Sequence, residues 1–327
     1  MAERPRVFVS RTLPAPQAVE RLREATALDV WSSPRPPTVD ELRERVAGCE
    51  GVLTMLTEAV DARLLDACPK LRAVANMAVG YDNIDVTAAS ERGVLVTNTP
   101  GVLTETTADM AFALLLAAAR RLAEGEAAVR GGAWGPWDPA WLLGHDVSGA
   151  TLGIVGPGRI GGAVARRARG FGMRVLYRGH QPVDGFPGER VSLAELLGRS
   201  DFVSVHVPLT PETTHMFNAA TFAQMQPHAV FVNTARGGIV DQVALREALV
   251  AGRIAAAALD VTDPEPLPPD DPLLSAPHLL VAPHLGSATR ATRRRMAELA
   301  TDNLLAALAG ERPEHLVNPE AWERRRR

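Results

Sequence analysis

Three ionisable residues, Arg236, Glu265 and His284, each follow a stretch that predicts a β-strand. A guanidinium matches a carboxylate bidentately, so Arg236 suits an anionic substrate. An imidazole carries a proton near neutral pH, so His284 suits a general acid, with Glu265 orienting its ring and favouring its charged form. Each residue alone has an ordinary interpretation, as a loop cap, a solvated acid or a structural histidine. Their shared position after strands favours proton donation to the oxygen of a carbonyl group.

A glycine-rich turn predicts a dinucleotide site that would supply the hydride for such a reaction. The segment 151–179 has the pattern of a strand, a turn, a helix and a second strand. The turn has the spacing G-x-G-x-x-G, formed by Gly156, Gly158 and Gly161. Glycines let the backbone approach a pyrophosphate, whose charge is met by N–H groups at the helix N-terminus. Pro157 removes one N–H group and leaves those of Arg159 and Ile160. The alternative is a structural turn, but the order of the elements favours the dinucleotide.

The end of the second strand predicts which nicotinamide cofactor binds. NAD-dependent folds carry an acid about 20 residues beyond the glycines, where it binds the ribose 2′-hydroxyl. This strand ends Leu-Tyr-Arg178-Gly-His180 and has no acid there. Arg178, aided by His180 when protonated, would pair with a 2′-phosphate. NADPH is therefore the predicted reductant, and NADH is the alternative if Arg178 points into solvent.

Composition and charge narrow the class of protein. With 327 residues, of which 46% are hydrophobic, the chain can bury a large core and favours two domains. A net charge of -3 gives no pull toward nucleic acid. The two cysteines lack metal-site spacing and fit a reducing cytosol, so no metal is predicted. The longest apolar stretch, 110–119, is too short to cross a bilayer, and the N-terminus lacks an apolar signal region. A cytoplasmic protein without membrane contact is expected.

Strand-like and helix-like segments alternate along the chain, which predicts parallel sheets covered by helices. The expected fold class is α/β, with a Rossmann-type doubly wound parallel sheet domain and a smaller flavodoxin-like α/β substrate domain. A helix over 288–308 would carry the chain back to the first lobe. Residues 1–99 and 288–327 would then form a discontinuous substrate-binding domain, and residues 100–287 the dinucleotide-binding domain. One long helix is predicted over 104–130.

Three of the five tryptophans, Trp134, Trp137 and Trp141, fall within eight residues. They either fill the core locally or form an interface, where aromatic side chains supply contact area. The interface is the favoured interpretation.

Among the eight histidines, His206 in the strand VSVHV is interpreted as structural, and the six besides His206 and His284 as surface or loop residues.

Several motifs between residues 49 and 308 resemble the D-2-hydroxyacid dehydrogenase family, most closely its glyoxylate/hydroxypyruvate reductase branch. The motifs are AVGYDNIDV, NTPGVLTETTADMAFALLLAAARR, LGIVGPGRIG, HVPLTPETTHM, NTARGGIVD, ALDVTDPEPLP and APHLGSAT. The chain departs from the family pattern in two places. Pro157 replaces a larger apolar residue, and Arg178 stands where NAD-dependent members carry an acid.

The resemblance implies a role for particular residues of this chain. It implies a catalytic trio formed by Arg236, Glu265 and His284. It implies that the backbone amides of Val79 and Gly80 hold the substrate carboxylate, and that Ser287 lies at the edge of substrate and cofactor. It implies cofactor contacts at Thr104, Pro208, Thr234, Ala235 and Asp260. A homodimer is usual in this family, and Trp141 would reach the partner's active site.

The predicted function is the NAD(P)H-dependent reduction of a small 2-oxo acid, glyoxylate or hydroxypyruvate, to the D-2-hydroxy acid. The hydride would come from the nicotinamide and the proton from His284. Another D-2-hydroxyacid dehydrogenase, of the phosphoglycerate or D-lactate type, is the first alternative. Because no regulatory domain follows Leu308, the phosphoglycerate type is disfavoured. A dinucleotide-sensing regulator resembling corepressors is the second alternative, and the absence of an extended disordered tail or a basic surface disfavours it.

Overall fold

The computed structural model describes residues 3–326, which divide into two compact units. The first unit contains the residues up to Leu103 and those from Thr289 onward, and the second is Thr104–Ala288. The first unit is therefore discontinuous in sequence. The chain leaves it before Thr104 and re-enters it at Thr289. Sequence reasoning placed these two crossings after residues 99 and 287.

The described residues form short parallel strands and mostly short helices. The strands are β1 (Arg6–Val9), β2 (Ala27–Val30), β3 (Gly51–Thr54), β4 (Ala73–Asn76), β5 (Leu95–Thr97), β6 (Thr151–Val155), β7 (Arg174–Arg178), β8 (Glu189–Arg190), β9 (Phe202–Val205), β10 (Val230–Asn233), β11 (Ala256–Leu259) and β12 (Leu279–Val281). The α-helices are α1 (Pro16–Ala25), α2 (Val39–Val46), α3 (Ala62–Ala67), α4 (Val86–Glu91), α5 (Thr104–Ala119), α6 (Leu122–Arg130), α7 (Arg159–Gly170), α8 (Leu193–Arg199), α9 (Ala219–Phe222), α10 (Gln242–Val250) and α11 (Arg290–Ala309). Short 3₁₀ turns occupy Gly237–Ile239, Pro272–Ser275 and Pro319–Arg324.

The first unit is built on a parallel sheet with the strand order β2-β1-β3-β4-β5. This is the flavodoxin-like order, as predicted. On one face, α11 packs against β3 and β4 and beside α1, where Arg21 and Asp302 form an ion pair of 2.6 Å. On the other face, α2, α3 and α4 cover a core that includes Phe8, Leu65 and Val74.

The second unit is built on a seven-stranded parallel sheet with the order β12-β11-β10-β9-β6-β7-β8. The chain winds outward from β6 to β7 and β8, and then returns to β9 on the other side of β6. This is the doubly wound Rossmann order, and such sheets bind their ligands beyond the carboxyl ends of the strands, where the winding reverses. One face is covered by α5 and α7 and the other by α8 and α10. The predicted fold class is confirmed.

The single helix predicted over 104–130 is wrong, because the structure has two helices there. The first, α5, ends at Ala119, and Arg121 has a φ of 51°, in the left-handed region that ends a helix. The backbone N–H of His145 donates to the Ala119 carbonyl at 2.8 Å, and Gly144 approaches the same carbonyl so closely that any Cβ would clash with it. A segment distant in sequence therefore donates to the Ala119 carbonyl, which would accept an intrahelical hydrogen bond if the helix continued.

The described part of the chain contains no helix that is both long and apolar enough to span a membrane.

Candidate active site

The three candidate catalytic residues lie in loops that follow neighbouring strands of the second unit. Arg236 follows β10, Glu265 follows β11 and His284 follows β12. The sheet register pairs the last residues of these strands, Asn233, Leu259 and Val281. Because the strands are parallel and end level with one another, all three loops leave the same edge of the sheet.

His284 and Glu265 form a direct pair. The His284 Nδ1 atom lies 2.5 Å from Glu265 Oε1, and about a quarter of the His284 side chain is exposed. A carboxylate only accepts hydrogen bonds, so Nδ1 must carry a hydrogen in this pair. The second ring nitrogen, Nε2, is then the atom through which the ring can give a proton to a bound molecule. The geometry suits a general acid with an orienting carboxylate.

Asp260 holds the loop that carries His284. Its carboxylate accepts the N–H groups of Leu285 at 2.6 Å and Gly286 at 2.7 Å, and its own carbonyl accepts the N–H of His284 at 2.9 Å. Burial raises the pKa of Asp260, although the two backbone N–H groups oppose this. Both carboxylate oxygens therefore accept hydrogen bonds from the loop that carries His284. The contact with the nicotinamide amide that the resemblance implies remains a prediction.

Asn233, which sequence reasoning missed, shapes the turn that carries Arg236. Its side chain accepts the N–H of Ala235 at 3.0 Å and donates to the carbonyl of Arg236 at 2.8 Å. It is fully buried at the end of β10. Gly237 packs so closely against the backbone of Thr262 that a Cβ would clash. The turn after β10 is thereby fitted to the loop after β11. A buried polar residue at the end of an apolar strand was the available signal.

The glycine-rich turn fits a dinucleotide. Gly156 has a φ of 100°, and a Cβ there would lie 2.7 Å from the carbonyl carbon of His206. Gly161 abuts the Gly156 carbonyl, which brings α7 against β6. By contrast, a Cβ on Gly158 would meet no protein atom within 4 Å, so packing within the chain does not require this glycine. No side chain caps the N-terminus of α7. Uncapped N–H groups beside open space are what a pyrophosphate needs.

The remaining cofactor candidates stand at element ends of the same unit. Thr234, directly after β10, is buried, and its hydroxyl has no hydrogen-bond partner among residues 3–326. A buried hydroxyl without a partner fits a site that a ligand completes. Pro208 follows β9, and its carbonyl accepts the Thr213 hydroxyl at 2.7 Å. Thr104 is the first residue of α5, and Ala235 is half-buried. The cofactor contacts of these residues remain predictions.

The loop after β7 carries Arg178 and His180. Arg190, in β8, donates to the carbonyls of His180 at 2.9 Å and Gly179 at 3.4 Å, and so holds this loop. A Cβ on Gly179 would lie 2.6 Å from the Pro157 ring, so the unusual proline packs against the loop between the two candidates. Arg178 is half-buried and forms no ion pair within the described residues. Sequence reasoning missed Arg190 because β8 is only two residues long.

Val79 and Gly80 lie in the first unit, in the loop that follows β4. Both are half-buried. Ser287 lies in the second unit and is buried. The substrate contacts implied for these three residues remain predictions.

The tryptophan-rich segment does not fill a core. Trp134, Trp137 and Trp141 are exposed by 69%, 87% and 41%. The alternative in which they plug the core is therefore wrong.

His206 makes a 2.9 Å contact between its Nε2 and the Ser204 hydroxyl, and burial lowers the pKa of His206 to about 4. A neutral, structural histidine is consistent with its interpretation from the sequence.

Comparisons with known proteins agree with the fold and identify the family. Residues 112–286 match the family model described as D-isomer specific 2-hydroxyacid dehydrogenase, NAD binding domain. A glyoxylate reductase of Korarchaeum cryptofilum is 53% identical, with 97% of each chain covered. A solved structure from Thermus thermophilus is 50% identical with a TM-score of 0.91, covering 95% of this chain and 99% of the other. An NADPH-dependent glyoxylate/hydroxypyruvate reductase of Sinorhizobium meliloti, solved with NADP and malonate, is 36% identical with a TM-score of 0.86 and 99% of each chain covered.

The chain belongs to the D-2-hydroxyacid dehydrogenase family. It is an oxidoreductase that uses a nicotinamide dinucleotide, and the glycine-rich turn at the start of α7 fits the pyrophosphate of that cofactor.

Proposed function

We propose that the protein reduces glyoxylate and hydroxypyruvate, with NADPH as the preferred reductant. The observation that carries the proposal is the 2.5 Å contact between His284 Nδ1 and Glu265 Oε1, at the sheet edge shared with Arg236. The similarity to glyoxylate reductases over nearly the full chain supports the choice of substrate.

The residues of the second unit would act on a small 2-oxo acid as follows. Arg236 would bind the substrate by its guanidinium and polarise it. The imidazolium of His284 would donate its Nε2 proton to the carbonyl oxygen, and Glu265 would stabilise the imidazolium before the transfer. When bound, the reduced nicotinamide supplies the hydride to the carbonyl carbon. The carbonyl carbon gains the hydride and the carbonyl oxygen gains the proton, so the reduction to the alcohol is balanced.

The substrate carboxylate would be held by the backbone N–H groups of Val79 and Gly80 in the first unit, with Ser287 at the edge of the site. Main-chain N–H groups are well suited to an anion because they present fixed dipoles without bringing a further charge.

NADPH is favoured over NADH by the residues after β7. Arg178 would pair with the 2′-phosphate, with His180 beside it when protonated. The hydrogen bonds from Arg190 to the backbone support the shape of this loop. The Sinorhizobium relative, whose structure contains NADP, supports the same preference.

A homodimer is proposed on the exposed apolar surface of α6 and the segment after it. Leu122, Trp134, Trp137 and Leu143 are each more than 60% exposed. Such a concentration of large apolar side chains is typical of an interface. Trp141 would then reach the active site of the partner. Analytical ultracentrifugation should give a dimer for the parent protein and a weakened dimer for Trp137→Ser, whereas a monomeric parent protein would contradict the proposal.

The function is tested by steady-state turnover of the purified protein with NADPH and a set of 2-oxo acids. Glyoxylate and hydroxypyruvate should give the highest kcat/KM, above phosphohydroxypyruvate and pyruvate. Preference for phosphohydroxypyruvate would favour the phosphoglycerate type, and preference for pyruvate the D-lactate type. The absence of turnover with any of these acids would overturn the proposal.

A further inference from the structure

The loop after β4 has its carbonyl groups held from two sides. The Ala78 carbonyl accepts the backbone N–H of Thr99 at 2.9 Å. The Val79 carbonyl accepts the side-chain Nδ2 of Asn98 at 2.8 Å. The Gly80 carbonyl accepts Nδ2 of the fully buried Asn76 at 2.9 Å. Three consecutive peptide groups are therefore fixed in orientation.

These bonds determine where the N–H groups point. A trans peptide is planar, so the N–H of a residue points away from the carbonyl of the residue before it. The Val79 N–H therefore points away from Thr99, and the Gly80 N–H points away from Asn98. Because Asn98 and Thr99 are consecutive at the end of β5, both N–H groups face away from this strand end. Neither has an acceptor among the residues that the structure describes.

Asn98 is itself held in place through its backbone. Its carbonyl accepts Nδ2 of Asn303, a buried residue of α11, at 3.1 Å. Its N–H donates to the carbonyl of His315 at 3.3 Å. The donor that fixes the Val79 carbonyl is thus anchored by the C-terminal part of the same unit, which is distant in sequence.

We propose that Asn98 is a positioning residue for the reaction, which directs the Gly80 N–H toward the substrate carboxylate. It does not touch the substrate and acts through the Val79–Gly80 peptide. The inference rests on the proposed function, because it takes the Val79 and Gly80 amides as the carboxylate site. It adds a side chain to a site otherwise made of backbone atoms, so the site becomes accessible to mutagenesis.

We expect substitution of Asn98 to weaken the binding of the substrate carboxylate only in part. The peptide that carries the Val79 N–H is fixed by a backbone bond from Thr99, which no side-chain substitution removes. Asn98→Ala should therefore impair one of the two donors. A hydrogen bond to a charged group corresponds to about a 10- to 150-fold change in affinity. The carboxylate is bound in the ground state and the transition state alike, so KM for glyoxylate should rise by that factor with little change in kcat.

The test compares Asn98→Ala and Asn98→Leu with a matched control, Asn318→Ala. Leucine keeps a side chain of similar size and removes the donor. Asn318 is a buried residue of the same unit whose Nδ2 donates to the carbonyl of Val94 at 2.9 Å and to the Ser90 hydroxyl at 3.1 Å, away from the loop after β4. For each variant, one measures kcat and KM for glyoxylate, the Kd of NADPH, the melting temperature, and the dissociation constant of oxalate for the complex with NADP.

Both Asn98 variants should show weaker oxalate binding and a raised KM, with an unchanged Kd of NADPH. The Asn318 control should lower the melting temperature and leave oxalate affinity intact. Wild-type oxalate affinity in both Asn98 variants would overturn the inference. An equal loss of oxalate affinity in the Asn318 control, or failure of both Asn98 variants to fold, would assign Asn98 a purely structural role and would overturn it as well.

A second readout separates this inference from the proposed function. In protein labelled with ¹⁵N-glycine and saturated with NADP, oxalate should shift the Gly80 amide resonance, and Asn98→Leu should abolish that shift. If the parent protein does not reduce glyoxylate, the proposed function fails, but the Gly80 shift still reports on the positioning by Asn98. If the protein reduces glyoxylate and the Gly80 resonance does not respond to oxalate, only the positioning inference fails.

Discussion

Gly158→Ala separates cofactor binding from folding more cleanly than any other substitution in the glycine-rich turn. Gly158 precedes α7, with a φ of -74° that alanine adopts without strain. A Cβ at this position would meet no protein atom within 4 Å. The added methyl group would instead project into the space where a pyrophosphate approaches the N–H groups of Arg159 and Ile160.

The expected magnitudes follow from this geometry. Replacing glycine by alanine stabilises a protein by about 0.4–1 kcal/mol where the backbone allows it, because the unfolded chain loses freedom. Alanine is a poorer N-cap than glycine by roughly 0.5–1 kcal/mol, which offsets that gain. The free energy of unfolding should therefore change by less than about 1 kcal/mol. Loss of one charge-assisted hydrogen bond to the pyrophosphate would weaken cofactor binding by about 1.5–3 kcal/mol, or roughly 10- to 150-fold.

The assay is a titration of NADPH by fluorescence, paired with denaturant unfolding of the same variants. Gly170→Ala is the matched control, since Gly170 lies at the other end of α7 and a Cβ there also meets nothing within 4 Å. It should leave NADPH affinity unchanged. Gly161→Ala is the contrasting case, because its Cβ would clash with the Gly156 carbonyl and destabilise the fold by about 1–3 kcal/mol. Unchanged NADPH affinity in Gly158→Ala would refute the assignment of the pyrophosphate to this turn.

Three further substitutions test individual roles. Glu265→Gln removes the negative charge beside the His284 imidazolium, so the pH at which the rate of reduction falls should move lower; an unchanged pH–rate profile would leave Glu265 as a loop residue. Arg236→Lys keeps the charge but loses the planar fork, so KM for glyoxylate should rise strongly and kcat fall, whereas parent-like kinetics would show that the fork is not used. Arg178→Ala should narrow the preference for NADPH mainly through the KM for NADPH, and parent kcat/KM values that favour NADH would contradict the proposed cofactor preference.

The elements that the sequence predicted well are those determined by short-range patterns. The glycine spacing, the apolar strands and the ionisable residues after them are local features, and the structure has a strand, helix or turn at each. The break after Ala119 depends on the backbone of His145, which lies far along the chain, so no local pattern signals it. The same holds for Asn98, whose partner Val79 becomes a neighbour only when β4 and β5 pair.

The contacts that support the candidate catalytic residues were also beyond sequence reasoning. The family resemblance implied a cofactor contact for Asp260, but its use as an acceptor for the loop that carries His284 requires the alignment of β11 with β12. Asn233 shapes the Arg236 turn from a strand position that resembles any buried residue. The sequence thus indicates which side chains could act, and the pairing of strands determines what holds them.

The most direct test of the central claim is the turnover of glyoxylate with NADPH by His284→Ala. If His284 donates the proton through Nε2 while Glu265 holds Nδ1, kcat should fall by about 10²- to 10⁴-fold. The Kd of NADPH, measured on the same preparation, should be largely unchanged, since the pyrophosphate is assigned to the N-terminus of α7. A variant that retains near-parent kcat with intact cofactor binding would show that the proton comes from another group and would contradict the proposed mechanism.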